Sequence, residues 1–174
     1  MRITLCAASL TAAAALFTTL PTAAAAPSQE STDFTPEQQT LLSHLPRTYD
    51  AGDCKPGKRL ENAAYIASII CRNSAAGSPS AVGYYLYPTA DAMNSSFDRI
   101  LADDVRPAKC GTIDNGAEWV RKSDPDTALG RVGCGKYKGN PEVVWTNNET
   151  LILGSAGGRT NIDAVMKWWK KNAI

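Results

Sequence analysis

The chain opens with a long run of apolar and small residues that is followed by a polar segment. Arg2 precedes the run over residues 3–20, and Ala24-Ala25-Ala26 follows it. A basic first residue, an apolar stretch and an A-x-A site form the pattern of a cleavable signal peptide. Thr, Ser and Ala dilute the run, which argues against a retained membrane anchor. Residues 1–26 are therefore predicted to be a signal peptide, and the mature protein is expected to be secreted, or extracytoplasmic, without a membrane anchor.

Three later segments have apolar residues at helical spacing. Residues 27–34 are polar and unpatterned, which predicts a flexible leader. Thr35-Pro36-Glu37-Gln38 then combines an N-cap, a first-turn proline and a capping-box glutamine. Thr89 and Thr160 are predicted to cap the second and third helices, the latter together with Asp163. The apolar stripes consist of Leu41, Leu42 and Leu45, then Met93, Phe97, Ile100 and Leu101, then Ile162, Val165, Met166 and Trp169.

Segments rich in β-forming residues lie between these helices. Strands are predicted at residues 63–71, 81–87, 117–121, 129–134, 142–145 and 150–154, with a hairpin turn at 146–149. Alternation along 81–87 places Tyr84 on one face of its strand and Tyr85 and Tyr87 on the other.

The order of these elements predicts the fold class. Each half of the chain runs cysteine, strand, strand and Thr-capped helix, which predicts two pseudo-similar halves. We expect residues 35–174 to form a single α+β domain in which an antiparallel sheet has the helices packed on one face. A β-sandwich with peripheral helices is the alternative.

Charge and cysteine content narrow the class of protein. Without Arg2, the mature chain keeps 17 of 18 basic residues against 17 acidic ones, so its formal charge is zero. A chain without net positive charge has no overall attraction to polyanions, which argues against a nucleic-acid or anionic-membrane partner. Four of the five cysteines lie in the mature chain, and an even number at spacings other than C-x-x-C predicts two disulfides in an oxidising compartment. Three connectivities satisfy this count, and we predict the sequential pairs because each would staple one half: Cys54–Cys71 and Cys110–Cys134.

The candidate catalytic and metal-binding residues have simpler structural interpretations. His44 is the single histidine and lies near the end of the first predicted helix, where a histidine interacts favourably with the helix dipole. Asp103-Asp104 and Asp124-Pro125-Asp126 are predicted to be a solvated helix end and a turn, with a paired-acid hydrolase and a calcium site as the alternatives. Gly157-Gly158-Arg159-Thr160 could hold an anion at a helix start, although an ordinary turn is the simpler interpretation. The sequence predicts no catalytic residue, no metal site and no cofactor.

The aromatic residues point most directly to a binding surface. Adjacent helical residues lie about 100 degrees apart, so Trp168 is predicted to be partly exposed if Trp169 joins the core. Exposed aromatics can stack on sugars or fill a protein interface. Packing under loops or against the first helix is the simpler interpretation of these rings, and Tyr85, Tyr87 and Trp168 are the candidate ligand-binding residues. Four further aromatics belong to this group: Tyr84, Trp119, Trp145 and Trp169.

Several of these segments also resemble a known family. In the first half they are Leu45-Pro46, Cys54, Cys71 and residues 84–87, and in the second half Cys134-Gly135, residues 142–147, residues 151–154 and Trp168-Trp169. Together they resemble the extracytoplasmic, sensor-like domains of actinobacterial serine/threonine protein kinases and their small secreted relatives. The resemblance covers approximately residues 41–172, and it implies an actinobacterial secreted protein.

These patterns together predict a function class. We expect a secreted, non-catalytic binding or sensor-like domain whose partner is an extracellular protein or a cell-envelope ligand. An extracytoplasmic hydrolase that acts on cell-envelope material is the alternative.

Overall fold

Seven strands form one antiparallel sheet, and three helices pack against it. The computed structural model describes residues 33–72, 78–103, 107, 109–158 and 161–172. The helices are α1 (Pro36–Ser43), α2 (Ala90–Asp103) and α3 (Ile162–Asn172), and a short 3-10 helix covers Ala51–Asp53. The strands are β1 (Cys54–Pro56), β2 (Ala67–Cys71), β3 (Ala81–Leu86), β4 (Lys109–Cys110), β5 (Ile113–Asp114), β6 (Glu118–Arg121), β7 (Asp124–Tyr137), β8 (Asn140–Asn147) and β9 (Ile152–Gly157).

The order of strands in the sheet differs from their order in the chain. It runs β1-β2-β3-β9-β8-β7-β6, while β4 and β5 form a separate two-stranded ribbon. Strands β1 to β3 pair in succession at one edge of the sheet, and strands β6 to β9 do so at the other edge. The two groups meet where β3 pairs with β9, with Tyr84 opposite Gly154. The α+β class with an antiparallel sheet is thus confirmed.

The helices lie on both faces of the sheet. Val143 and Val144 are neighbours on β8 and point to opposite faces, as strand geometry requires. Val143 packs in a core with Leu41 of α1 and Trp169 of α3. Val144 packs in a second core with Phe97 of α2. The prediction that all helices pack on one face is wrong for α2, because the sheet is apolar on both faces at β8 and each face requires a cover.

The two halves repeat the order of their elements, but no single two-fold axis relates one half to the other. β2, β3 and α2 are followed later by β8, β9 and α3. A two-fold axis that exchanged the antiparallel strands β3 and β9 would run perpendicular to the sheet and keep both helices on one face. Because α2 and α3 lie on opposite faces, the similarity of the halves ends at their strands.

Capping side chains fix the starts of the helices. At α1, Gln38 N–H donates to the Thr35 hydroxyl, and Thr35 N–H donates to the Gln38 side chain, which confirms the capping box. At α2, Ala92 N–H donates to the Thr89 hydroxyl at 3.2 Å. At α3 the cap is Asn161, whose side chain accepts from Ala164 N–H at 2.9 Å. The prediction of Thr160 as the cap is wrong by one position, and Thr160 itself lies outside the described residues.

Both predicted disulfides are present. Cys54–Cys71 joins β1 to β2, and Cys110–Cys134 joins β4 to β7. All four half-cystines are buried in the core between the sheet, α1 and α3. The second bridge therefore fastens the β4–β5 ribbon to the main sheet.

The predicted signal peptide, residues 1–26, lies outside the described residues, and so do residues 27–32 of the predicted leader. Within the part of the chain that the structure describes, no helix is long and apolar enough to cross a membrane.

Candidate functional site

The sheet face beneath α2 is only partly covered. Its floor on β3 and β9 consists of small residues at alternate positions: Ala81 and Gly83 on β3, and Ser155 and Gly157 on β9. These strands are neighbours, with Gly83 opposite Ser155 and Ala81 opposite Gly157. Because alternate residues share a face, these four small residues lie side by side and leave space above the sheet.

Arg131 helps to hold α2 to one side of this floor. Its guanidinium lies 2.6 Å from the Asp98 carboxylate and 4.7 Å from the centre of the Phe97 ring. Leu101 lies directly over Gly133 of β7, where a Cβ atom would collide with it. These contacts tie α2 to β7 and β8, so the part of the face over β2 and β3 stays open.

A loop between β1 and β2 forms the opposite wall. It folds around Tyr65, whose hydroxyl donates to the Lys58 carbonyl and accepts from Leu60 N–H. The Tyr65 ring contacts the ring of Tyr85 edge-on, with centroids 5.2 Å apart, and that of Tyr87 at 6.4 Å. The loop therefore places a third tyrosine against the two on β3 and its end.

The β7–β8 hairpin closes one end. Lys138 and Gly139 form its two-residue turn, both with positive φ, of 49° and 80°. Beyond the turn, Glu142 Oε1 accepts a 2.6 Å hydrogen bond from the Ser155 hydroxyl on the floor. The hairpin thus brings a carboxylate to the end of a largely apolar space.

The walls and floor border an open-sided cavity of about 790 Å³. Apolar and tyrosine side chains dominate its lining, which also includes several polar and charged groups. The principal lining residues are Leu60, Tyr65, Ile70, Tyr85, Tyr87, Ile100, Tyr137 and Leu153, with Glu61, Arg99, Asp103, Asn140, Glu142 and Ser155 as the main polar groups.

Tyr85 of β3 lines this cavity. Its ring runs along β3, so that its hydroxyl end approaches Gly83, where a side chain would crowd it. Burial raises the pKa of Tyr85 to about 12, and Tyr65 and Glu142 act in the same direction. Burial also raises the pKa of Tyr87, against the lowering effects of the Ser96 hydroxyl and of Arg99. Both phenols are therefore neutral hydrogen-bonding groups near pH 7.

The structure brings two of the three predicted binding residues together. Tyr85 and Tyr87 line the cavity, on the face opposite Tyr84. Trp168 lies on the other face of the sheet and is only 6% exposed. Its predicted partial exposure is wrong, because Tyr49, from the segment after α1, packs on its ring at 6.0 Å between centroids.

Of the remaining sequence candidates that the structure describes, three line the cavity and the others lie apart from it. His44 is exposed at the C-terminal cap of α1, and Asp124 and Asp126 are exposed on β7. Asp103 does line the cavity, as do Gly157 and Gly158, whereas Asp104, Arg159 and Thr160 lie outside the described residues. Gly158 N–H donates to the Pro141 carbonyl. Among the described residues, no three His, Cys, Asp or Glu side chains are placed to share a metal ion.

Sequence reasoning missed most of the cavity lining. Tyr65 precedes β2 in a stretch assigned to a strand, and Arg99 and Glu142 have no distinguishing local pattern. One signal was present: small residues alternate along β3 and β9, at Ala81 and Gly83 and again at Ser155 and Gly157. A strand with one side free of bulky groups either packs closely or borders a cavity.

Comparison with known proteins gave no match. No family model, no curated protein and no solved structure is similar enough to this chain to indicate a relationship.

Proposed function

We propose that this chain is a secreted, non-catalytic binding or sensor-like domain that holds a small amphipathic ligand in the cavity beneath α2. The observation that carries the proposal is the cavity itself, about 790 Å³ in volume, with an apolar and tyrosine-rich lining that also contains polar and charged groups. Small-molecule sites have this size, of roughly 300–1,000 Å³, and this composition.

The stapled sheet supports a preorganised site. β2 is joined to β1 by Cys54–Cys71, and the far side of the sheet is fastened by Cys110–Cys134. A ligand that enters a preformed cavity loses less affinity to the ordering of its receptor. Disulfides of this kind also belong to an oxidising compartment, which agrees with the predicted signal peptide.

A matched pair of tryptophan variants tests the proposal. Ala81→Trp would place a large ring on the cavity floor, whereas Val120→Trp would add the same ring at an exposed position on β6. The exported protein and both variants are incubated with extracts of small molecules from cell envelopes and examined by native mass spectrometry. We expect ligand adducts on the wild type and on Val120→Trp, and their loss from Ala81→Trp. Equal adducts on all three proteins, or none on the wild type, would contradict the proposal.

Hydrolysis of envelope material is the second candidate, because two carboxylates, Asp103 and Glu142, line the same cavity. Paired acids that flank a bound glycan could cleave it. Release of reducing ends from purified envelope glycan, lost in both Asp103→Asn and Glu142→Gln, would establish this activity. Binding without product release by the wild type would leave the non-catalytic function.

A further inference from the structure

The tyrosine hydroxyls that border the cavity differ in what they bind. The Tyr65 hydroxyl donates to a carbonyl and accepts from an amide of its own loop. The Tyr87 hydroxyl has that of Ser96 as a hydrogen-bonding neighbour. Tyr137 is 53% exposed, so its side chain is open to solvent. Tyr85 is partly buried, and its hydroxyl makes no hydrogen bond with the part of the chain that the structure describes. This hydroxyl is therefore available to a ligand.

The backbone places the Tyr85 hydroxyl over the cavity floor. A Cβ atom at Gly83 would lie 3.0 Å from Tyr85 Oη, so the hydroxyl lies above this glycine. Gly83 pairs with Ser155 across β3 and β9, and neighbouring strands lie about 4.8 Å apart. The hydroxyls of Tyr85 and Ser155 thus lie over adjacent floor positions. Since an O–H···O hydrogen bond spans about 2.7 Å, one ligand oxygen can reach both.

The two hydroxyls offer different hydrogen-bonding capacities. Ser155 donates its single proton to Glu142 at 2.6 Å, which leaves its oxygen free to accept. Burial raises the pKa of Tyr85 to about 12, so near pH 7 its proton is present and can be donated. A ligand group that satisfies both must accept one hydrogen bond and donate another. A carboxylate cannot donate and an ammonium group cannot accept, whereas a hydroxyl does both through one oxygen.

We infer that the ligand carries a hydroxyl group on an apolar body, and that this hydroxyl accepts a hydrogen bond from Tyr85 and donates one to Ser155. This inference rests on the proposed function. A ligand that covers the floor displaces water from both protein hydroxyls, and a polar group left there without a partner lowers the affinity. Ile70, opposite Gly83 on β2, and Leu153, opposite Tyr85 on β9, line the cavity beside these groups and hold the body.

A series of probes with one carbon skeleton tests the ligand group. 1-Phenylethanol donates and accepts through its hydroxyl, acetophenone only accepts through its carbonyl, and ethylbenzene does neither. Each is titrated into the protein, and binding is followed through the backbone amide shifts of Gly83 and Gly157. We expect the alcohol to bind most tightly, the ketone about fivefold more weakly and the hydrocarbon about fivefold more weakly again, since one neutral hydrogen bond supplies a factor of this size.

A pair of tyrosine variants tests the donor. Tyr85→Phe keeps the ring and removes the hydroxyl, and Tyr137→Phe does the same at a lining position that is open to solvent. We expect Tyr85→Phe to weaken binding of the alcohol and of the ketone about fivefold, while ethylbenzene binds at least as tightly as before. Tyr137→Phe should change none of the three affinities. Urea unfolding establishes that both variants are folded.

A pair of serine variants tests the acceptor. Ser155→Ala removes the hydroxyl over the floor, and Ser80→Ala removes a lining hydroxyl that donates to the Gly157 carbonyl at 3.2 Å. We expect Ser155→Ala to weaken binding of the alcohol about fivefold and to leave the ketone unchanged, and Ser80→Ala to change neither. Because the ketone does not use this acceptor, comparing the two probes separates a lost hydrogen bond from a general change in the cavity.

The outcomes separate this inference from the proposed function. Ethylbenzene that binds the cavity as tightly as the alcohol would overturn the ligand hydroxyl and leave a binding cavity in place. A ketone that binds as tightly as the alcohol would overturn the hydrogen bond donated to Ser155. An alcohol that binds Tyr85→Phe or Ser155→Ala as tightly as the wild type would overturn the assigned position. Failure of every probe to shift the Gly83 and Gly157 amides would count against both proposals.

Discussion

The indole N–H of Trp119 on β6 donates a 2.8 Å hydrogen bond to the carbonyl oxygen of Thr146 on β8, two strands away. The strand between them is β7, where Gly130 is opposite Trp119. A Cβ atom at position 130 would collide with the Thr146 carbonyl and crowd the indole nitrogen. The absence of a side chain at Gly130 therefore permits a contact that spans three strands and closes this side of the sheet.

Gly130→Ala should lower the free energy of unfolding by about 1–3 kcal/mol, the cost of overpacking a filled site. The collision is with backbone, which cannot rotate away as a side chain would. Gly52→Ala is the control, because only the end of the Asp50 side chain lies near that position. Urea unfolding measures both variants. A loss at Gly130 no larger than at Gly52 would show that the strands adjust freely.

The adjacent tryptophans of α3 should both behave as core residues. Trp169 is 1% exposed and contacts Trp119, and Trp168 is 6% exposed and contacts Trp145. Trp168→Ala and Trp169→Ala should each cost about 3–5 kcal/mol in denaturant melts. Lys167→Ala, at an exposed position on the same helix, should cost little. A small loss in the free energy of unfolding for Trp168→Ala alone would instead support the partial exposure of Trp168 that the sequence predicted.

Alkaline pH should destabilise the protein through Tyr85. Its pKa is raised from 10.0 to about 12 in the folded state, so the unfolded chain loses this proton first as the pH rises. The contribution of protonated Tyr85 to the free energy of unfolding is therefore fully present below about pH 10 and is lost between about pH 10 and pH 12. Tyr85→Phe keeps the ring and removes the titrating group, so its stability should fall less steeply in that range. Urea melts at several pH values compare the two proteins, and identical slopes would contradict the assignment.

Asn161 should stabilise α3 as its N-cap. Asn161→Ala removes the side-chain oxygen that accepts from Ala164 N–H and should cost about 1 kcal/mol. Thr160→Ala is the matched comparison, because the sequence pattern assigned the cap to that position. Thermal unfolding of the two variants distinguishes them, and a larger loss for Thr160→Ala would reverse the assignment.

Local chemistry allowed most of the fold to be predicted. Caps at Thr35 and Thr89 and alternation at Tyr84 and Tyr85 depend on residues within a few positions of one another. Both disulfides were predicted from the similar order of elements in the two halves, and they connect segments within one half.

The errors arose where distant segments meet. Whether Trp168 is exposed depends on Tyr49, which lies 119 positions earlier in the chain (168 minus 49). The position of α2 depends on Arg131 of β7, which pairs with Asp98. The cavity likewise needs the β1–β2 loop, α2 and the β7–β8 hairpin to converge, and no single segment carries a pattern that specifies this. Among its lining residues, only Tyr85 and Tyr87 were predicted to bind a ligand through exposed aromatic rings, because their strand alternates clearly.

The pairing of β3 with β9 has a consequence for how the chain folds. Ala81 and Gly157 lie opposite each other although 76 positions separate them (157 minus 81). The first three strands can form hairpins early, but their open edge gains its partner only when the last strand is available. Sheets that depend on such distant pairings have high contact order and fold slowly, in milliseconds to seconds. Completion of the sheet therefore waits until β9 joins β3, whichever hairpins form before it.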